Sequence, residues 1–542
     1  MKKIMRAAVA LLLVICLCFG MTGCAGVDFS GYFSQLMSLL LGVSATQFDR
    51  MEYVRPDMEH LQTVMEESAA KVEEMNNLDA LLELIWEAYE PLDAFSTAYA
   101  LANIHYSMDL TDAYWEEEYL FCSEGAVTAQ AELDKFYRAL AKSKFREELE
   151  GDEYFGAGFF DDYEGDSFYD EVFSALLTQE TELENRYYDL CGQASEAGYR
   201  TEKFYAQIMP QMAQLFVELV AVRQEMAAYL GYGSYPEFAY DYYYDRDYTC
   251  DQTTAYLADI RAELVPLYKE ITTGGLDLEV NYCSETVTLA YLREMANAMG
   301  GTVKAAFDTM VSYDLYDISQ SDKKYDASFE IYINGYYSPF IFMNPTMSEY
   351  DKLTFAHEFG HFCSDYASYG SAASVDVAEV FSQGMEYLSL QYVKNVGDLE
   401  KVKMVDSLCI FVEQSAFASF EQQVYSLEGD ALTAENVLAL YEQVGTAYGF
   451  DSWGFDPRDF VTITHFFTNP MYVISYVVSN DLAMQLYELE VEQKGSGLAC
   501  LEQNLTTTQT GIIAFAQEAG LNSPFVQGRI ARLKDTFQKV LK

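Results

Sequence analysis

The chain has 542 residues, and its 85 acidic residues outnumber 33 lysine and arginine residues, which gives a formal net charge of −52 at pH 7. A chain this acidic lacks the basic surface that neutralises phosphates, so we exclude nucleic acid as a partner. The same charge attracts cationic peptides over long range and favours solubility. The length is sufficient for a large core divided between two or more lobes.

The N-terminus has the pattern of an export signal. Basic residues among the first six precede an apolar run over residues 7–19, and a Thr-Gly pair then precedes Cys24. This pattern indicates a signal peptide over residues 1–23 rather than a membrane span. The Thr-Gly-Cys sequence resembles a bacterial lipobox, which implies cleavage before Cys24 and its lipidation. We therefore expect residues 24–47 to be a tether, and the mature protein to be extracytoplasmic and anchored in the cell membrane by lipid.

Beyond the tether, apolar residues recur at the three-and-four spacing of amphipathic helices. Long examples run over residues 58–75, 78–89 and 126–149, and the chain has only 10 prolines to interrupt them. The segment 151–170 breaks the pattern with glycine, aspartate and aromatic residues. We expect a loop there that rims a cleft. The tyrosine-rich segment 240–245 is expected to serve packing rather than ligand binding.

The motif H-E-x-x-H, formed by His357, Glu358 and His361, indicates the chemistry of the chain. Ser348 and Asp351 have the spacing of a capping box, so we expect a helix to begin there. Residues four apart share a helix face, so the two imidazoles can point to one metal ion. Zinc binds neutral imidazole nitrogen, and a catalytic zinc keeps one position open for water. Glu358 is then expected to be the general base.

A catalytic zinc site needs a third protein ligand. The extended form of the motif would have a histidine where this chain has Ala367, so that arrangement is excluded. A glutamate from the following helix is the other common solution. The next helical pattern starts at Asp376, the expected N-cap, and its residues Glu379, Gln383 and Glu386 share one face. We predict that Glu379 is the third ligand to one Zn²⁺ per chain, and that the other two orient the imidazoles.

A β-hairpin is predicted just before the motif helix. Residues 328–333 and 337–343 are rich in β-branched and aromatic residues, and the turn dipeptide Asn334-Gly335 lies between them. Pro339 cannot donate to a ladder, so we expect the second strand at the sheet edge. Such an edge can bind an extended peptide as a further strand. The residues expected to contact that substrate strand are Tyr337, Phe340 and Phe342.

These segments resemble the thimet oligopeptidase and oligoendopeptidase F family of zinc peptidases. The run PFIFMNPTMSEYDKLTFAHEFGH, followed by AEVFSQGMEYL, is similar to the two metal-binding segments of that family. Residues 53–57 resemble its N-terminal opening, and residues 223–227 resemble the start of its catalytic region. The histidine and tyrosines within residues 465–476 resemble its late segment. The matches occur in the family's order over roughly residues 50–535.

The resemblance implies a mainly α fold with a zincin-like core, in which two helical lobes surround a deep channel and a small edge sheet lies beside the H-E-x-x-H helix. We assign residues 48–200 to an N-terminal helical domain and 201–540 to the catalytic domain. The implied activity is that of a zinc endopeptidase that cuts short, unstructured peptides, and we expect the protein to be a monomer. In the late segment, the resemblance implies that His465 and either Tyr472 or Tyr476 stabilise the oxyanion.

Two other functions stay open at this point. A zinc carboxypeptidase on a similar scaffold would need a basic group for the terminal carboxylate, and the arginines nearest to the motif are Arg293 and Arg458. A surface lipoprotein that captures peptides without cutting them would not need a general base. The presence of Glu358 within an intact motif favours an enzyme over that second alternative.

Overall fold

The computed structural model describes residues 46–151, 155–156, 158–164, 170–274, 278, 280–370, 373–452 and 455–541. The predicted signal peptide, Cys24 and nearly all of the tether lie outside these residues. In the described part of the chain, no helix combines the length and the hydropathy that a membrane crossing requires.

The first helices pack around a core of their own. Asp57, Asn77 and Asp112 each accept a hydrogen bond from a backbone amide in the turn that follows, so polar caps fix three helix starts. Phe155 and Phe159 are buried in the same core, so the described part of the predicted cleft-rim loop serves packing instead. The helices are α1 Met58–Lys71, α2 Leu78–Met108, α3 Ala113–Ala141 and α4 Arg146–Leu149.

The remaining helices surround a second, larger core. Phe173, near the start of α5 (Glu171–Ala197), already lies in this core. Helix α2 joins them, because Leu101 is buried in the second core and Ala102 in the first. The helices between α5 and the sheet are α6 Met209–Tyr229, α7 Tyr235–Phe238, α8 Cys250–Glu263, α9 Val265–Gly274, α10 Glu285–Met299 and α11 Gly301–Ser312.

A sheet of three strands precedes the H-E-x-x-H helix. Its strands are β1 Tyr316–Asp317, β2 Ser328–Ile333 and β3 Ser338–Met343. Their order is β1-β3-β2, with β3 parallel to β1 and antiparallel to β2. A tight turn joins β2 to β3 and ends at Tyr337, whose backbone is left-handed with φ of 48°. The hairpin is therefore present where the sequence predicts it, within a mainly helical fold of the predicted class.

The prediction that the second hairpin strand lies at the edge is wrong. β3 is the central strand, and Phe340 and Phe342 are buried in the core. Pro339 is tolerated there because β1 is only two residues long and pairs with β3 at Ile341 and Phe342, beyond the proline. Tyr337 lies in the turn and packs on the N-terminal core. The two edges of the sheet are therefore the two-residue strand β1 and the longer strand β2.

Helices cover the sheet and complete the C-terminal part of the chain. The H-E-x-x-H helix is α12 Tyr350–Ser368, and it packs against β2 and β3 on one side and against α13 on the other. The helices from α13 to the C-terminus are α13 Val375–Tyr392, α14 Leu399–Cys409, α15 Ser415–Val424, α16 Ala434–Ala447, α17 Thr464–Thr468, α18 Ile474–Glu492, α19 Ser496–Asn504, α20 Ile512–Glu518 and α21 Arg529–Leu541.

The starts of α12 and α13 differ in how well the sequence predicts them. Ser348 Oγ accepts a hydrogen bond from the Tyr350 amide while the Asp351 carboxylate accepts one from the Ser348 amide, close to the expected capping box. In α13 the N-cap is Ser374, so the prediction of Asp376 is wrong. Asp376 is buried within the first turn, where its carboxylate accepts a hydrogen bond from Tyr248.

Gly360 allows α12 and α13 to approach closely. A Cβ atom at this position would lie 2.5 Å from the Phe381 carbonyl oxygen and 2.6 Å from the Ser382 Cα atom. Real side chains do not reach such distances, so any residue larger than glycine must push the two helices apart. The same contact brings the histidines of α12 towards Glu379 of α13.

We expect Gly360→Ala to lower the free energy of unfolding by about 1–3 kcal/mol, because the added methyl overpacks a helix interface. Gly192→Ala is the matched control, since nothing lies within 4 Å of a Cβ atom at this position in α5. The control should be neutral or stabilise the protein by up to about 1 kcal/mol. Urea denaturation of both variants measures the difference, and equal stabilities would contradict the close approach.

Candidate metal centre

His357, His361 and Glu379 converge between α12 and α13. The Nε2 atom of His357 lies 3.4 Å from Glu379 Oε2, and the Nε2 atom of His361 lies 3.9 Å from the same oxygen. One donor atom from each of the three residues lies within 4.8 Å of the other two. Ligands at about 2.1 Å from one ion, at tetrahedral angles, are roughly 3.4 Å apart. Two imidazoles and a carboxylate at this spacing fit a single ion such as zinc.

A buried ion pair orients His357. Its Nδ1 atom lies 2.9 Å from Glu386 Oε1, and the Lys403 ammonium lies 2.7 Å from Glu386 Oε2. Burial alone raises the pKa of Glu386, but the charge of Lys403 and the hydrogen bond from His357 bring it below its usual value. An Nδ1–H group that donates to a carboxylate leaves Nε2 with its lone pair free for a metal. The structure thus places Glu386 where the sequence predicts it, and adds Lys403.

The two histidines have different proton affinities. Burial lowers the pKa of His361 to about 4, so its imidazole is neutral. Burial acts in the same direction on His357, but the hydrogen bond to Glu386 and the charges of Glu379 and Glu358 raise the pKa of His357 to about 9. A cation bound between these groups would displace that proton, because metal ligation requires neutral imidazole.

Glu379 is held by two hydroxyl donors. Tyr472 donates to Oε1 at 3.0 Å, and Ser382 donates to Oε2 at 2.8 Å. Gln383 does not reach the imidazoles, although the sequence predicts that it orients them. Its amide nitrogen lies 2.9 Å from Ser479 Oγ and 3.4 Å from the Tyr476 carbonyl oxygen, so it joins α13 to α18 instead. Helical spacing places Gln383 on the right face but does not fix its rotamer.

Glu358 faces a cavity of about 690 Å³ that the metal-site residues and β2 both line. Its carboxylate accepts a hydrogen bond of 2.8 Å from Ser328, the first residue of β2. Burial raises the pKa of Glu358 to about 7, against the opposing charge of His357. A carboxylate with this proton affinity, next to a metal site, can take a proton and release it again.

The late segment brings His465 and two tyrosines to the same place. The Tyr476 hydroxyl lies 3.4 Å from His465 Nε2, and the rings of Tyr472 and Tyr476 are 5.1 Å apart between centroids. Both tyrosines line the cavity. Burial and the charge of Glu379 raise the pKa of both hydroxyls, so they keep their protons and can donate hydrogen bonds. Burial lowers the pKa of His465, which favours its neutral form.

Buried polar groups from distant segments fix the position of this late segment. Arg223, which is fully buried, donates to the carbonyl oxygens of Phe466 and Phe467, directly after His465. The Tyr244 hydroxyl donates to the Pro470 carbonyl oxygen at 2.7 Å. The motif around Arg223 and the tyrosine-rich segment therefore position the site as well as pack. Sequence analysis finds both segments but not these roles, because the contacts join residues more than 200 positions apart.

Comparison with known proteins agrees with this architecture. Residues 48–167 match the Peptidase M3 N-terminal domain family. A structure described as an oligoendopeptidase F, from crystals grown by microfluidic seeding, has a TM-score of 0.80 and 22% sequence identity, and the match covers 92% of this chain and 99% of that one. The structure described as an oligoendopeptidase F from Bacillus anthracis str. Ames has a TM-score of 0.76 and 21% identity over 92% and 98% of the two chains.

A more distant match is the M32 carboxypeptidase from Deinococcus radiodurans R1, with a TM-score of 0.54 and 14% identity over 88% of this chain and 99% of that one. No protein among curated sequences matches the chain. At these identities the structural matches show the fold. Together with the domain match, they confirm the family resemblance and the fold class that the sequence predicts.

We expect Glu386→Gln to weaken metal binding about 10- to 100-fold, because the residues that orient a ligating histidine affect affinity by this amount. Competition with a chelator of known affinity, monitored by metal content, measures the change. Glu400→Gln is the matched control, since Glu400 bonds Gln391 and Tyr487 and has no contact with His357. Equal affinities of the two variants would contradict the orienting role of Glu386.

Proposed function

We propose that the chain is a zinc-dependent endopeptidase that cuts internal bonds of short, unstructured peptides, because residues 48–167 match the Peptidase M3 N-terminal domain and the fold matches that of oligoendopeptidase F. The observation that supports this most directly is the position of Glu358. It lies beside the three candidate ligands and also contacts Ser328 on the free strand edge, so a general base, a metal site and a peptide-binding edge share one cavity.

In this mechanism His357, His361 and Glu379 would hold the ion, and a bound ion would supply Lewis acidity and a more acidic water. Glu358 takes the proton of that water and delivers it to the leaving amine. The Ser328 hydroxyl holds the carboxylate of Glu358 in place at 2.8 Å. The raised pKa of Glu358 suits both halves of this proton transfer, since the group must accept and then release the proton near neutral pH.

The geometry favours Tyr476 as the donor to the oxyanion. The Tyr472 hydroxyl already donates to Glu379 at 3.0 Å, so it helps to hold a ligand in position. The Tyr476 hydroxyl lies at 3.4 Å from His465, a distance at which little is lost when the hydroxyl turns to another acceptor. His465 would then orient Tyr476 while negative charge develops on the carbonyl oxygen.

A peptide can bind along β2 as a further strand. The backbone of β2 pairs with β3 on one side only, and its residues from Ser328 to Tyr332 line the cavity on the other. Backbone hydrogen bonds to such an edge require an extended substrate segment, which folded proteins rarely offer. This edge takes the place of the one that the sequence predicts on the second hairpin strand.

A carboxypeptidase is the second candidate, because the fold also matches the M32 carboxypeptidase. Recognition of a terminal carboxylate needs a basic group near the scissile bond. Among the described residues that line the cavity there is no lysine or arginine. The cavity therefore favours internal cleavage over removal of C-terminal residues.

The extracytoplasmic location, lipid anchor and monomeric state are also part of the proposal. The location and the anchor depend on residues 1–24, whose basic, apolar and Thr-Gly-Cys segments follow one another in the order of a lipoprotein signal. We expect the full chain to sediment with membranes and to incorporate a labelled fatty acid when expressed in bacteria. Cys24→Ala should abolish the label and release the protein, whereas labelling of that variant would contradict the site.

We expect wild-type protein to cut a mixed peptide library at internal bonds, and both chelation and Glu358→Gln to remove these cuts. The variant should lose about 10²- to 10⁴-fold in kcat, the usual contribution of a general base, while it retains one metal per chain. Mass spectrometry of the products measures this. Glu349→Gln is the control, since Glu349 lies just before the same helix and contacts Asn281 and Lys352 outside the cavity.

Two outcomes would contradict the endopeptidase. Stepwise removal of single C-terminal residues would indicate the carboxypeptidase instead. Retention of intact peptides by metal-loaded wild-type protein, without cleavage, would indicate a peptide-binding protein.

A further inference from the structure

The cavity contains more negative charge than the proposed chemistry uses. Glu358 and Glu379 serve the metal site, and Lys403 lies 2.7 Å from Glu386 and 3.3 Å from Asp406, so these two carboxylates have a cation. No lysine or arginine is among the described lining residues. The acidic residues of the lining are Glu330, Glu358, Asp365, Glu379, Glu386 and Asp406. The proposed chemistry gives no role to two of them, Glu330 and Asp365.

Glu330 and Asp365 approach each other across the cavity wall. Alternate residues of β2 share one face, so Glu330 points to the same side as Ser328, roughly 6.6–6.8 Å further along the strand. Asp365 follows His361 by four residues and lies on the same side of α12. The carboxyl groups of Glu330 and Asp365 interact directly. Burial, and then the charges of Asp365 and Glu358, raise the pKa of Glu330.

Two polar atoms next to this pair lack hydrogen-bond partners. Glu330 Oε1 is buried and accepts no hydrogen bond. The hydroxyl of Tyr332, the next residue on the same face of β2, also has no partner, although its side chain is only 6% exposed. The charge of Asp365 acts on this hydroxyl, which places the two groups close together. Unpaired buried polar atoms are costly, so their presence in a cavity wall indicates a missing partner, which for Glu330 Oε1 is a donor.

The missing donor has positive charge and several N–H groups. Two carboxyl groups in contact cannot both ionise without a cation between them. Among the described residues, the cluster whose donor atoms could hold a metal ion consists of His357, His361 and Glu379. Glu330 and Asp365 are not part of that cluster. An ammonium or guanidinium group instead matches two carboxylates and a phenol oxygen, all of which are acceptors. Because Glu330 lies on the proposed peptide-binding edge, the bound peptide itself can supply this group.

We propose that Glu330, Asp365 and Tyr332 form a subsite for a positively charged group of the peptide substrate, close to the scissile bond. The proposal rests on the proposed peptidase function and adds a substrate class, namely peptides with a basic residue or a free N-terminal amine near the cut. A guanidinium group fits best, because it can bond both carboxylates at once.

Matched peptides test the subsite. Each pair of peptides carries either arginine or its neutral isostere citrulline at one position near the cut, and pairs are made for every such position. The kcat/KM of wild-type, metal-loaded protein is measured for both members of each pair. Each pair is made with a free and with an acetylated N-terminus. We expect arginine at one position to raise kcat/KM roughly 30-fold, as loss of a buried charge partner costs at least this much. A preference that follows the free amine instead would identify the N-terminal ammonium as the bound group.

Variants then assign the preference to named residues. Glu330→Gln and Asp365→Asn should each reduce the ratio of arginine to citrulline rates, and Tyr332→Phe should reduce it less. Asp326→Asn is the control, since it removes the same charge four residues before Glu330 from an exposed position outside the cavity. It should leave the ratio unchanged, because long-range attraction does not depend on one exposed carboxylate.

The two proposals fail in different ways. If wild-type protein cuts no peptide, the peptidase function is wrong. If it cuts charged and neutral peptides at equal rates, or if Asp326→Asn reduces the ratio as much as Glu330→Gln does, the subsite is wrong and the peptidase stands. The comparison of arginine and citrulline peptides uses wild-type protein, so it tests the subsite even if a cavity variant does not fold.

Discussion

The contact of α12 with α13 at Gly360 is the constraint on which the site depends. Two histidines on one helix can supply only two ligands, and the third must come from a helix that approaches closely enough for donor atoms to lie about 3.4 Å apart. The backbone of α13 lies where a Cβ atom of residue 360 would be, and this approach brings Glu379 to 3.4 Å from His357. The sheet on the other face of α12 then adds Ser328 beside Glu358.

Charge balance is the second constraint. Three acidic side chains of the cavity, Glu358, Glu379 and Glu386, are buried, and each needs a cation or a proton. Lys403, itself fully buried, supplies the cation for Glu386 and holds the carboxylate that orients His357. For the candidate ligand Glu379, the bound metal ion would supply the positive charge. Glu330 Oε1 and the Tyr332 hydroxyl have no hydrogen-bond partner, so in the proposed mechanism a charged group of the substrate completes the cavity wall.

The features that the sequence predicts are those encoded locally. The H-E-x-x-H spacing, the hairpin turn and the helical face of Glu379 each depend on a few neighbouring residues, and the structure brings these residues together. Contacts between distant segments could not be predicted from spacing. Lys403 and Arg223 act on residues far away in the chain, the rotamer of Gln383 depends on α18, and the central position of β3 depends on the two-residue strand β1.

The central claim is that α12 and α13 together bind one catalytic metal ion. Anomalous diffraction on crystals of the mature domain, collected on both sides of the zinc absorption edge, tests this most directly. The account predicts one strong peak within about 2.0–2.2 Å of His357 Nε2, His361 Nε2 and a Glu379 oxygen, with an open position towards Glu358. A peak elsewhere, or full coordination by protein that leaves no position for water, would contradict a catalytic site between these helices.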